Sequence, residues 1–215
     1  MKHESVVVVA GGHTLGTPAP ELPDGATVIA ADGGVDRALA LGLRVDHAIG
    51  DFDSISAEGL AAVQAVGTRI EKHPADKDAT DLELALDAAI ELDPARIVVV
   101  GSNGGRLDHL LGSLLLLGLE RYAIAEIDAH LGASLIHIVH GSRELTGTPG
   151  ELVSLMPLHG AAEGVTTRGL VYPLVGETLA AGSTRGISNL FEAETATVRL
   201  QRGTIAVVRP GEEER

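Results

Sequence analysis

Short β-branched runs alternate with longer, helically spaced apolar patterns over the first half of the chain. Runs at 5–10, 27–31, 47–49, 68–72 and 96–100 have the length and Val/Ile content of strands buried on both faces. Between them, apolar residues recur every three or four positions at 34–41, 57–66, 80–92 and 107–120, the spacing of helices that cover a sheet. This alternation predicts an α/β unit with an open, mostly parallel sheet. Past Ala123 the texture changes. Short runs at 135–139, 152–157, 164–170, 196–200 and 204–208 are separated by Gly, Pro, Asn and Ser, and no amphipathic helix recurs, which predicts a smaller all-β sandwich. The break falls between Ala129 and Ser142 and is drawn here to give domains 1–138 and 139–215.

In an open parallel sheet the loops after the strands gather along one edge, where ligands bind. Acids sit in four successive loops of that kind: Asp32 in A-D-G-G, Asp51 and Asp53 in G-D-F-D-S, Asp78 and Asp81 in K-D-A-T-D, and Asp108 in G-G-R-L-D-H. Any one of them reads equally well as a helix N-cap, with Asp78 the preferred cap of the third helix and Asp81 at its N3 position. Capping does not explain Asp in all four loops, since Ser, Thr or Asn would serve, and carboxylates brought together repel unless a cation compensates. The inference is a Mg²⁺ site, which takes hard oxygen ligands at about 2.1 Å. Asp51 and Asp53 suit it as a D-x-D pair where a strand opens into a loop, with Asp81 the third ligand. Asp108 either ligates or positions an acceptor hydroxyl.

Composition changes this picture in three ways. The formal charge of −14 repels nucleic acid, so an anionic ligand must be met locally by metal and a few placed cations. Glycine pairs after the strands, among them Gly33 with Gly34 and Gly104 with Gly105, let backbone N–H groups approach phosphate oxygens. Arg106 supplies a fork and Lys77 a point charge. The alternatives are turns for the glycines and surface ion pairs for the two cations. His109 reads as a local hydrogen-bonding residue. With no cysteine, disulfides and thiolate chemistry are excluded, and a cytoplasmic setting fits. Residues 1–10 lack a signal-peptide pattern and no run of about 18 apolar residues occurs, so no membrane partner is expected. The acidic end, 211–215, reads as a solvated tail.

The ordered set A-D-G-G from Ala31, I-G-D-F-D-S from Ile49, K-D-A-T-D-L-E-L-A-L from Lys77, G-G-R-L-D-H from Gly104 and G-I-S-N from Gly186 resembles the bacterial thiamine pyrophosphokinases over nearly the whole chain. The resemblance implies an α/β ATP-binding catalytic domain followed by a β-sandwich that binds thiamine and forms a homodimer. It implies Mg²⁺ on Asp51, Asp53 and Asp81, and ATP and catalytic contacts from Thr80, Arg106 and Asp108. Asp32, Gly33, Lys77, Asp78, Gly104, Gly105 and His109 fall in the matched nucleotide motifs, and Ser188 and Asn189 match the segment that reaches thiamine. One departure stands out: the chain has no Trp and only 2% aromatic residues, so an indole stacked on thiamine must be replaced, with Phe191 as substitute or as a core residue. Rival readings are a pyrophosphokinase acting on a hydroxymethylpterin, a haloacid-dehalogenase-like phosphatase using the D-x-D motif, and a non-catalytic nucleotide or thiamine sensor. The phosphatase reading requires D-x-D at the end of the first strand, whereas here it follows the third predicted strand, with two strands before that one.

Overall fold

The computed structural model describes residues 5–12 and 19–211; the end of the acidic tail lies outside them. The chain divides into two compact units, Met1–Ser113 with Ile124–Ala133, and Leu114–Ala123 with Ser134–Arg215.

The first unit is built on six parallel strands: β1 Ser5–Val9, β2 Thr27–Ala31, β3 His47–Gly50, β4 Arg69–Lys72, β5 Arg96–Gly101 and β6 Glu126–Leu131. They lie in the order β4-β3-β2-β1-β5-β6. Val6 to Val9 and Ile97 to Val100 are almost fully buried, as expected of strands covered on both faces. The edge strand β4 instead reads Arg-Ile-Glu-Lys and is largely exposed, its charges blunting further pairing. The connecting helices are α1 Gly34–Ala40, α2 Ala57–Ala65, α3 Asp81–Ile90 and α4 Leu107–Leu117. Gly34 has a steric reason to be glycine: a Cβ there would lie 2.0 Å from the Val9 carbonyl oxygen, so only glycine lets α1 start this close to the end of β1.

The cap of α3 corrects the sequence reading. Thr80, not Asp78, is the N-cap, and its Oγ1 accepts from the Glu83 N–H at 3.2 Å. Thr-x-x-Glu is the capping-box spacing, and it leaves Asp81 as the first helical residue, not the N3 residue. Helix α4 ends at Leu117, earlier than predicted, with Gly118 following and a single 3₁₀ turn at Glu120–Tyr122. Strand β6 has no counterpart among the predicted strands; it falls within the predicted α/β domain 1–138 and pairs parallel with β5.

The second unit is antiparallel: β7 Ser134–Val139, β8 Ser142–Thr146, β9 Leu152–Arg168, β10 Glu177–Leu179, β11 Asn189–Leu190, β12 Thr195–Arg199 and β13 Arg202–Arg209. Its strands run β7-β13-β9-β12-β8, with β10 and β11 also on β9. Two predicted strands, 152–157 and 164–170, are one 17-residue strand, β9. His159, Gly160 and Gly164 all have positive φ, so the glycines bend β9 where they were expected to end it. Inward residues of these strands, including Val153, Leu155, Val165, Val198, Ile205 and Val207, form one core with Phe191.

Candidate active site

The carboxyl ends of β2 and β3 deliver the first three acids. Asp32 donates its N–H to the Ile49 carbonyl at 2.8 Å and adopts φ 46°, a left-handed conformation that Asp tolerates better than most residues. Gly50, at φ 149°, lies so close to Asp32 that a Cβ would sit 3.1 Å from the Asp32 Cβ. In the D-x-D segment Phe52 has φ 62°, a costly conformation for a bulky residue, while its ring packs against the core of the unit. Anchoring Phe52 inward turns its two neighbours toward the sheet edge. The Asp53 N–H donates to Asp51 Oδ1 at 3.2 Å, and Ser54 Oγ donates to Asp53 Oδ1 at 2.7 Å. Asp32, Asp51 and Asp53 each offer a carboxylate oxygen within 4.8 Å of the others.

Asp81 enters from the start of α3, and a cation accompanies it. Lys77 Nζ lies 3.0 Å from Asp81 Oδ1 and 3.5 Å from Asp51 Oδ2. Burial pushes the Asp81 carboxyl above its ordinary range against the pull of Lys77, with Asp51 and Asp32 adding to the rise. Asp51 moves the other way, chiefly because the Asp53 amide donates to it. Burial pulls Lys77 down, but its two acids outweigh this and hold it above the usual lysine value. All four carboxylates thus belong to one neighbourhood, and Asp51 is shared between the triad and Lys77.

The donor set fits a hard divalent cation. Asp32 Oδ1 is buried and has no hydrogen-bond partner, a costly arrangement for a carboxylate oxygen unless a ligand completes it. Three carboxylates without imidazole or thiolate suit Mg²⁺ rather than a softer metal.

Arg106 and Asp108 form a two-bond ion pair, Nε to Oδ1 at 3.2 Å and the terminal nitrogen to Oδ2 at 2.6 Å. Both side chains are exposed, and the pairing lowers the Asp108 carboxyl. Gly105 has φ 91°, and the Gly104 N–H donates to Ser102 Oγ. His109 and Asp78 are exposed, and Gly33 precedes α1 as its N-cap residue.

Comparison with known proteins adds a second line of observation. Residues 21–125 match the profile of the thiamin pyrophosphokinase catalytic domain, and residues 136–205 that of the thiamin pyrophosphokinase vitamin B1 binding domain. The thiamine pyrophosphokinase of Bacillus subtilis is 31% identical over 185 residues, 84% of this chain and 86% of that protein. This chain belongs to the thiamine pyrophosphokinase family. Solved structures agree: that of the Bacillus subtilis enzyme superposes with a TM-score of 0.85 at 26% identity, over 97% of this chain and 100% of that one. The Geobacillus thermodenitrificans thiamin pyrophosphokinase gives 0.80 at 29%, over 97% and 98%.

Within the region matching this family's vitamin B1 binding domain, the two predicted contacts differ in character. Ser188 is exposed at φ 57°, its N–H donating to Ser154 Oγ at 3.1 Å. Asn189 is 4% exposed. Its Oδ1 accepts from the N–H groups of Tyr172 at 3.0 Å and Leu190 at 2.9 Å, and its Nδ2 donates to the Tyr172 carbonyl at 2.8 Å. That side chain is fully engaged in holding a neighbouring loop. Phe191 is 1% exposed and belongs to the core, so it offers no surface for a stacked ring. Tyr172, not singled out in the sequence, has an exposed side chain although Asn189 fixes its backbone on both sides. Its signal was present in G-L-V-Y-P-L, one of only two tyrosines in the chain, between turn-forming residues.

Proposed function

We propose that the chain transfers the β,γ-diphosphate of ATP to the hydroxyl of thiamine, giving thiamine diphosphate and AMP, in a Mg²⁺-dependent reaction carried out by a cytoplasmic homodimer. The observation that carries this reading is the Asp32–Asp51–Asp53 cluster with its unpartnered oxygen, at the ligand-binding edge of the sheet in a chain of this family. The named relatives act as thiamine pyrophosphokinases, which supports ATP and thiamine as the substrates.

Asp32, Asp51 and Asp53, with Asp81 beside them, would hold the ion. When bound, Mg²⁺ neutralises polyphosphate charge. Arg106 exchanges Asp108 for phosphate oxygens, its planar fork suiting bidentate contact, while the backbone at Gly104 and Gly105 admits the phosphates closely. Ser188 and Tyr172 orient thiamine: the hydroxyl and amide of one bind polar edges, and the ring of the other replaces the absent indole. The thiamine oxygen attacks the β-phosphorus in line, the bond from that phosphorus to the oxygen bridging to the α-phosphate breaks, and its electron pair leaves on AMP. The hydroxyl proton passes to a site carboxylate, Asp81 or Asp108. Such transfers depend on position and charge more than on a strong base. The exposed Val171, Tyr172, Val175 and Ile187 support burial of this surface in a dimer.

The test is to incubate purified protein with ATP, Mg²⁺ and thiamine and to resolve the nucleotides by chromatography. AMP formed in step with thiamine diphosphate is expected. ADP as the product, or AMP only with a hydroxymethylpterin, overturns the reading. Light scattering on the same sample checks the dimer.

A further inference from the structure

Strand order reverses at β1. From β1 the chain runs outward through β2, β3 and β4, then crosses back to place β5 on the other side. Ligands bind outside the carboxyl ends of an open sheet at such a point. The loop after β1 therefore lies between two parts of the proposed site: the acids after β2 and β3, and the Gly104–Arg106 segment after β5. Gly11 sits against the A-D-G-G turn, where a Cβ on it would fall 3.7 Å from Gly33. Gly12, at φ 122°, sits against Ser102: a Cβ there would come within 2.7 Å of the Ser102 Cβ. Ser102 Oγ in turn accepts from the Gly104 N–H at 3.1 Å.

One side chain fixes this loop. Arg37, on α1, is only 5% exposed, and its terminal nitrogen donates to the Gly12 carbonyl at 2.7 Å. Burial holds its guanidinium below the ordinary arginine value. Burying a cation is costly, and a neutral donor would satisfy a carbonyl, so closing the loop does not by itself call for arginine. We infer that Arg37 is a positioning residue for the nucleotide. Its buried guanidinium fixes Gly12 against Ser102 and so sets how the loops after β1 and β5 meet the phosphates of ATP. It also adds a desolvated positive charge behind those loops, in a chain whose formal charge of −14 repels polyphosphate. This rests on the reading of ATP as a substrate, and Arg37 acts through Gly12 instead of touching the ligand.

The experiment titrates α,β-methylene-ATP with Mg²⁺ into the purified full-length protein by calorimetry. The methylene replaces the oxygen whose bond to the β-phosphorus would break, so binding is read without turnover. Arg37→Met should weaken binding about tenfold at unchanged stoichiometry, the scale for losing one hydrogen bond from a charged group. Arg37→Lys, which keeps the charge and a donor, should recover most of that loss. Gly12→Ala keeps Arg37 but pushes the loop off Ser102, and it should weaken binding about threefold or more. A merely structural role would lower the melting temperature and the fraction of chains that bind, leaving the affinity of the rest untouched. That pattern overturns the inference, as does equal loss in Arg37→Lys and Arg37→Met. Should Arg37→Met fail to fold, unchanged affinity in Gly12→Ala overturns it. An unmodified protein that does not bind the analogue overturns the ATP reading itself, a failure distinct from a wrong role for Arg37.

Discussion

The acid edge of the α/β unit and the Ser188–Asn189 turn of the β unit both combine positive-φ residues with short polar side chains, yet they treat those side chains in opposite ways. At the acid edge Asp32 Oδ1 is buried without a hydrogen-bond partner, and of the four neighbouring carboxylates only Asp51 and Asp81 pair with the Lys77 ammonium. At the turn every polar atom of the Asn189 amide has a bond to backbone. Like charges held together without full compensation reduce stability, so the first arrangement is explained by a ligand and not by folding. The second is explained by folding alone: Asn189 fixes the Tyr172 backbone and leaves the Tyr172 ring and Ser188 exposed.

Removing a carboxylate from the first region should therefore damage function and spare the fold. Asp51→Asn is the strongest case, because Asp51 belongs to both the triad and the lysine pair. Its turnover should fall by about 10³-fold, the upper range for losing one preorganised electrostatic contact. The melting temperature should change little, because Asn keeps an oxygen that accepts from the Asp53 N–H and only the contact with Lys77 is weakened. AMP release and a thermal melt on one preparation check both halves. Near-normal turnover would remove Asp51 from the site.

The second region should show the reverse. Asn189→Ala leaves the Tyr172 N–H and carbonyl without partners in a part-buried setting, and unfolding in urea should show a loss of about 2–3 kcal/mol. Damage to thiamine binding should accompany the loss of stability instead of preceding it. If stability is unchanged while KM for thiamine rises steeply, Asn189 contacts the ligand directly and the contrast between the two regions fails.

The same contrast explains what was legible in the sequence. Strands such as Val6 to Val9 and the core stripe of α3 were readable because burial on a regular element leaves a period in the chain. The loop acids were readable because their number exceeded what caps require. Other features depend on contacts distant in sequence. Thr80 and Asp78 are both good N-caps, and which one caps is decided by where β4 and its loop deliver the chain. Asp32 reads as one acid in a Gly-rich turn until Ile49 and Gly50 are seen to close over it. Asn189 and Phe191 looked available because sequence shows residue type and not whether its atoms are already in use. Strand β9 was split at Gly160 and Gly164 because a bend and a break share the same local signal.

Tyr172 sharpens the comparison from the ligand's side. Its backbone is held while its ring is exposed, so Tyr172→Ala should leave the melting temperature nearly unchanged and raise KM for thiamine about tenfold, with KM for ATP unaffected. The size follows from the loss of one stacked ring and its apolar contact. Tyr172→Phe should be close to the unmodified protein. Equal losses with Ala and Phe would shift the role from the ring to the hydroxyl.

The smallest effect expected is a pH dependence of stability carried by His47, buried in the α/β unit, and His140, half-buried in the β unit. Burial holds His47 in β3 below the ordinary histidine value, with Arg69 reinforcing and Glu71 opposing. Burial does the same to His140, with Glu120 opposing and His159 reinforcing. Each ring is therefore neutral when folded at pH values where the unfolded chain already takes up a proton. The stabilisation is complete above the ordinary histidine range, near pH 6.5, and declines as pH falls from there through the lowered folded value. Glu71 adds a separate decline at lower pH in the α/β unit: its hydrogen bond with His73 leads the causes that hold its carboxyl down, so its contribution is present above the usual glutamate range and lost as pH falls through the lowered value. Melting temperatures between pH 8 and 5 should fall more steeply in the unmodified protein than in His140→Gln, where the titrating group of the β unit is gone. An unchanged slope in that variant would assign the acid sensitivity to His47 and the α/β unit alone.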